Sequence, residues 1–312
     1  MITTDRPTAL IIGEALIDIV TRDDSSVEHP GGSPMNVSFG LARLGHPARF
    51  LARIGDDARG HRIADHLRGA GVEIVDPLLP GTPTSTANAV IGSDGQASYV
   101  FDIAWDLPAT TDTASASADI VHFGSLGAIL EPGAGRVFEI VTAARPTATI
   151  SFDPNVRAKL QGDRLTARGR AEAAVRLSDV VKASDEDVDW LYPGADAAAV
   201  ARDWIALGAG LVVVTAGGDG AIAVTAGHEV RIPSFRVQVV DTIGAGDSFM
   251  AALISGLADR GLLGAGHRAA LGGIDEATLT ALVDRAARAA AITVSRAGAE
   301  PPTRLELDAF VG

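Results

Sequence analysis

Short apolar runs alternating with longer amphipathic segments, along almost the whole chain, most narrow what this sequence can fold into. Thr8–Ile12, Ala48–Ile54, Ile120–Phe123, Ala148–Phe152, Val180–Lys182 and Leu211–Thr215 are brief and mostly apolar, as buried strands are. Between them Pro34–Leu44, Ala58–Arg68, Gly135–Ala144, Leu165–Leu177 and Ala197–Leu207 carry apolar residues at helical spacing. Ala245–Leu257 and Glu276–Val294 add two long helices near the end. Repeated strand–helix–strand units predict an α/β fold, a doubly wound parallel sheet with helices on both faces. Two hairpins interrupt the repeat. Thr86–Ile91 and Ala97–Phe101 flank an Asp94-Gly95 turn, and Ala221–Val224 faces Glu229–Ile232. The first hairpin, set within a strand–helix repeat, predicts a small antiparallel sheet outside the main one, and Ala15–Val20 reads as a further extended run. The expected architecture is a single α/β domain over residues 1–312, with a small β lid from about residues 15–32 and 84–106.

Composition removes several functions. The net charge of −13 argues against a nucleic-acid or anionic-membrane partner, and no apolar run approaches the ~20 residues that span a bilayer. With no signal-like N-terminus either, the expected location is the cytoplasm. There is no Cys, hence no disulfide, thiolate nucleophile or cysteine zinc site. The seven His residues form no metal-binding or Ser-His-Asp pattern. Of the 26 basic residues only Lys159 and Lys182 are lysines, and no Walker A pattern is present, so any phosphate chemistry proceeds without a P-loop.

Two segments carry chemistry. Asp241–Phe249 (DTIGAGDSF) opens an apolar helix. Gly244, Ala245 and Gly246 leave room around the amides that a helix start cannot pair internally, and the helix dipole adds positive character there. Asp247 shares that first turn. A carboxylate beside an anion cradle suits phosphoryl transfer to a hydroxyl, which must give up its proton; an ordinary helix start is the alternative. The second segment, Gly31-Gly32-Ser33-Pro34-Met35-Asn36 followed by Gly45 and Gly55, joins glycines that admit close backbone approach to an Asn offering donor and acceptor. A tight turn leading into a helix is its alternative.

In order and spacing these segments resemble the two signatures of the PfkB, or ribokinase-like, family of carbohydrate kinases. The likeness runs from the Gly13 strand to Arg296–Ala299. It implies a ribokinase-like three-layer α/β/α domain with a β-sheet lid, ATP and Mg²⁺ as cofactors, a K⁺ site, and a small sugar as substrate. Many relatives pair as homodimers through the lid. Position by position, Asp247 corresponds to the catalytic base, and the amides of Gly244, Ala245 and Gly246 to the anion hole. Asp18, Gly32 and Asn36 correspond to sugar-binding residues, and Thr215, Gly217 and Gly220 to a loop near ATP. Asp153-Pro-Asn-x-Arg157 is similar to a segment of the fructokinase-like and ketodeoxygluconate-kinase-like branches, which puts Arg157 near substrate or phosphates. For Asp18 and Arg157 a solvent-facing position is the alternative.

Departures sharpen the expectation. Where the family has Asn-x-x-Glu organising the Mg²⁺ shell, this chain has Ser184-Asp-Glu-Asp187. Ser184 then falls beside the nucleotide, and Asp187 is a candidate to hold a metal-bound water, while the acidic Asp185 and Glu186 beside it are equally readable as helix N-terminal charges. Asp241 resembles a monovalent-cation ligand, although Pro302 stands where some members have a Ser. No Arg lies between Arg68 and Arg136, so the lid lacks the cation that partners acidic sugars, and a neutral sugar is expected. Asp102 and Trp105 are candidates for a hydroxyl acceptor and an apolar ring face, with Trp105 alternatively a plug beneath the lid. A fructokinase-like activity is the leading expectation. Ketodeoxygluconate, ribose or nucleoside kinase activity is the alternative within the family, and a sugar-binding protein with weak turnover the alternative outside enzymes.

Overall fold

The computed structural model describes residues 6–22, 25–76, 78–91, 97–107 and 118–311; the expected Asp94-Gly95 turn lies outside them. Thirteen strands run in chain order among these residues. They are β1 (Ala9–Ile12), β2 (Leu16–Arg22), β3 (Ser25–Gly31), β4 (Ala48–Leu51), β5 (Glu73–Ile74), β6 (Thr86–Ile91), β7 (Ala97–Asp102), β8 (Ile120–Gly124), β9 (Thr149–Asp153), β10 (Val180–Ser184), β11 (Leu211–Thr215), β12 (Ala221–Val224) and β13 (Glu229–Ile232). The helices are α1 (Ser33–Arg43), α2 (Ala58–Gly69), α3 (Gly133–Ala144), α4 (Ala158–Gln161), α5 (Arg164–Leu177), α6 (Asp185–Leu191), α7 (Ala197–Leu207), α8 (Ala245–Asp259), α9 (Arg268–Gly272), α10 (Glu276–Val294) and α11 (Arg304–Ala309).

The main sheet has the order β13-β12-β11-β10-β9-β8-β1-β4-β5. Strands β5 to β11 of that row are parallel, and the β12–β13 hairpin closes one edge antiparallel. Alternation along β1 divides the core in two. Ala9 and Ile11 face a layer that includes Leu41 of α1, Leu253 of α8 and Leu282 of α10. Leu10 and Ile12 face Val137 of α3, Val175 of α5 and Trp204 of α7. Burying each such large side chain contributes roughly 1.5–3 kcal/mol. Helix α8 is buried from Ser248 to Ala258, which fixes its N-terminal turn against the strand ends. No helix among the described residues is long and apolar enough to cross a membrane.

The small sheet has the order β3-β2-β6-β7. It differs from expectation twice. Its middle pair, β2 with β6, is parallel rather than antiparallel. Its edge strand β3 is a polar segment ending in Pro30-Gly31, which the sequence did not announce as a strand; an edge position is where a missing N–H costs nothing.

Candidate active site

Strand β1 pairs with β4 on one side and β8 on the other, so the winding direction reverses at β1. In sheets of this kind, ligands enter the crevice at the carboxyl ends of the strands at that reversal. A cleft of about 970 Å³ opens there. Its floor is made by residues just past or at strand ends: Glu14 after β1, Ser125 after β8, Asn155 after β9, and Ser184 and Thr215 closing β10 and β11.

The first turn of α8 points into the middle of this cleft. Gly244 caps it with φ 75°, and a Cβ there would meet the Cβ of Ala299 at 2.5 Å, so the turn admits glycine alone. No side chain caps the helix. The Ala245 N–H makes a long, 3.3 Å bond to the Thr242 carbonyl. Asp247 is held on both oxygens: Ser33 Oγ donates to Oδ1 at 2.6 Å, and Asn36 Nδ2 donates to Oδ2 at 2.8 Å. Helices α1 and α8 therefore meet, start to start, at one carboxylate. Gly32, before α1, has φ 115° and lies so close to the Glu14 carbonyl that a Cβ would sit 2.5 Å from its oxygen.

The small sheet covers one end of the cleft. Its register aligns Asp18 of β2, Ala87 of β6 and Phe101 of β7 in one row, and all three line the cleft. Asp18 also lies against Gly31, where a Cβ would come within 1.9 Å of its Oδ2. Burial pushes its carboxyl up to about 6 against the pull of the Arg157 charge. Glu14 is pushed higher, to about 7, again by burial, although Ser125 and the Gly127 N–H, 3.0 Å from Oε2, hydrogen-bond to it. Ser125 and Asn155 hold left-handed backbone angles, φ 49° and 38°, and Asn155 Nδ2 donates to Ser125 Oγ at 3.2 Å. Non-glycine residues in that region are uncommon, and they collect at functional sites. Arg157, exposed at the rim, donates to Asn155 Oδ1 at 2.8 Å.

Two expected substrate residues are not at the cleft. Asp102 neighbours Phe101, and in a strand of period two the neighbour faces away; Phe101 takes the place expected of it. Trp105 is a plug. It is 5% exposed, its ring packs where Gly133 leaves no room for a Cβ, and its Nε1 donates to the Gly127 carbonyl at 3.0 Å.

At the other end, Thr215, Gly217 and Gly220 line the cleft together with an apolar slot of Val239, Ile243, Ala287, Ala290 and Val294. Ser184 and Asp187 form a reciprocal capping box at the start of α6. Asp187 is 5% exposed, and its Oδ1 accepts from the Val156 N–H at 2.6 Å while Oδ2 accepts from the Ser184 N–H at 2.8 Å. Asp241 stands apart from the cleft lining and ties two loops, accepting from Ile243 N at 3.0 Å and Gly298 N at 2.9 Å.

Sequence reasoning missed four residues here: Glu14, Ser33, Asp153 and Lys182. Glu14 and Ser33 adjoin recognised glycines, and Asp153 opens the Asp-Pro-Asn segment, so position pointed to them. Lys182 gave a different signal, a lysine inside a strand that is otherwise buried. Its Nζ donates to Asp153 Oδ2 at 2.9 Å, with the two side chains 6% and 2% exposed.

Comparison with known proteins agrees with this geometry. The sequence profile of the pfkB family carbohydrate kinases matches residues 7–305. A fructokinase from Rhizobium leguminosarum bv. trifolii is 35% identical over 259 residues, covering 80% of this chain and 79% of its own. A fructokinase from Escherichia coli is 31% identical over 314 residues, covering 96% of this chain and 97% of its own. Among solved structures, fructokinase with bound ATP from Xylella fastidiosa superposes with a TM-score of 0.84 at 29% identity, covering 96% of this chain and 97% of the other. The sheet order, the small flanking sheet and these matches lead to one conclusion: the chain belongs to the pfkB family of carbohydrate kinases.

Proposed function

We propose that this kinase transfers the γ-phosphoryl group of ATP to a hydroxyl of a small neutral sugar, with fructose the first candidate. The observation that carries the reading is Asp247, fixed by Ser33 and Asn36 in the first turn of an uncapped helix inside the cleft. The sugar lies under the small sheet, which acts as a lid, with its hydroxyls on Asp18 and Asn36 and its apolar face on Phe101. Two carboxyl groups at that end, Glu14 and Asp18, favour a ligand rich in hydroxyls over a carboxylate. ATP lies along Thr215, Gly217 and Gly220 with its base in the apolar slot. Relatives named fructokinase supply the substrate preference.

In the reaction Asp247 accepts the hydroxyl proton as the sugar oxygen bonds to the γ-phosphorus and the bond to the β-phosphate oxygen breaks. The α8 amides at Gly244 and Gly246, with a weaker share from Ala245, stabilise the charge on the transferring group. Among the described residues no group of three or more His, Cys, Asp or Glu is placed to cage a metal. The donors at the β10 end suit an ion held through its waters, since the Asp187 oxygens keep spare lone pairs beyond their main-chain bonds. Asp187 and Glu186 would hold Mg²⁺ in that way, and the bound ion would neutralise phosphate charge. A monovalent cation beside Asp241 enters no step of this mechanism.

A panel of fructose, ribose, ketodeoxygluconate and adenosine, read by ADP release with and without K⁺, tests the substrate. Fructose should give the highest kcat/KM; a tenfold preference for any other acceptor would replace it.

A further inference from the structure

Lys182 is a buried cation set against a helix start, at a point of the cleft where positive groups gather. It lines the cleft, and the one hydrogen bond its Nζ makes among the described residues goes to Asp153. The same Nζ lies against the first turn of α8, so close that a Cβ on Gly246 would stand 2.7 Å from it. A helix start carries positive partial charge, so an ammonium there is opposed by the dipole, and its burial costs further. Burial works against the charge, but Asp153, Asp187 and Asp247 outweigh it and hold the lysine above its usual range. Replacing such a buried pair with apolar residues would often be neutral for folding, so stability does not explain the arrangement. Two independent sets of positive groups, the α8 amides and this ammonium, converge on one point of the cleft.

Resting on the kinase reading above, we propose that Lys182 is a catalytic residue, its ammonium touching the transferring phosphoryl group from the sheet side, opposite the Asp247 carboxylate. Its task is electrostatic. The bond from phosphorus to the ATP β-phosphate oxygen breaks, the bond to the sugar oxygen forms, and the hydroxyl proton passes to Asp247. Lys182 keeps all its protons and stabilises the equatorial oxygens as their charge redistributes. Asp153 positions it, and the absent side chain at Gly246 lets it reach the helix.

The chain has no cysteine, which permits a direct test. K182C gives a single thiol, and aminoethylation restores an ammonium at nearly the lysine length. Wild-type turnover comes first: no ADP formation with any sugar defeats the kinase reading itself. With an active wild type, K182C and K182M should lose on the order of 10²–10³-fold in kcat with the sugar KM little changed. Aminoethylated K182C, its modification verified by mass, should recover most of the loss. The double variant K182M/D153N removes both charges and guards against misfolding; it should stay as slow as K182M. Turnover of K182M within about threefold of wild type would overturn the proposal. So would failure of complete aminoethylation to restore kcat, or recovery in the double variant, which would reduce Lys182 to a counter-charge for Asp153.

Discussion

Asn36 donates its side-chain N–H to Asp247 at 2.8 Å, joining two helix starts that lie 211 residues apart in sequence. The bond leaves the carboxylate oriented before any ligand arrives, and it puts the sugar-side and phosphate-side motifs in contact. A hydrogen bond to a charged group is worth about 1.5–3 kcal/mol. N36A should therefore lower kcat/KM for the sugar by about 10–100-fold while leaving the ATP affinity near wild type, as steady-state kinetics in both substrates will read.

Glu14 gives the fold a pH dependence of unusual sign. Its carboxyl is raised by burial from 4.5 to about 7 in the folded chain, so between those values the native state holds a proton that the unfolded state has released. Its contribution to stability is complete below about 4.5 and is lost as the pH rises through about 7, a loss of about 3 kcal/mol. E14Q, which keeps the hydrogen-bonding shape without the charge, should melt a few degrees above wild type at pH 8. The gap should close by pH 5 in thermal scans, and a gap that widens toward low pH would contradict the assignment.

Phe101 and Trp105 make opposite predictions, though they stand only four positions apart. Phe101 faces the cleft, so F101A should raise the sugar KM about 10–100-fold with modest loss of stability. Trp105 braces the loop at Gly127 and Gly133, so W105A should cost about 3–5 kcal/mol in denaturant unfolding and leave the sugar KM near wild type at a temperature where it stays folded.

Asp187 holds two main-chain N–H groups, one on the Asn155–Arg157 segment and one at its own helix cap. An amide in its place offers one oxygen and turns an NH₂ toward the other donor. D187N should lose about 1–3 kcal/mol of stability and raise the KM for MgATP more than that for the sugar, as unfolding curves and kinetics will show.

Much of the fold was legible because the main sheet is buried on both faces and its strands read as apolar runs. Helices α7 and α10 begin and end where their periodicity predicts. What escaped was governed by partners rather than by local pattern. Strand β3 is polar and gains its conformation from pairing with β2, and β6 lies parallel to β2 because the chain leaves the small sheet and returns. At the site, Gly244, Gly246, Asn36 and Asp247 were visible as motifs. Asp102 was misplaced because facing is set by register, and register could not be read there. Lys182 escaped because the burial that makes it informative comes from α8, far along the chain.

The most direct test of the central claim measures phosphoryl transfer by D247N beside wild type, with fructose as acceptor and MgATP as donor, together with calorimetric binding of each ligand. Wild type should form ADP and phosphorylated sugar one for one, while D247N should bind both ligands and turn over about 10²–10⁴-fold more slowly. D247N turnover close to wild type, or wild type that binds sugar and ATP yet forms no ADP, would contradict the account.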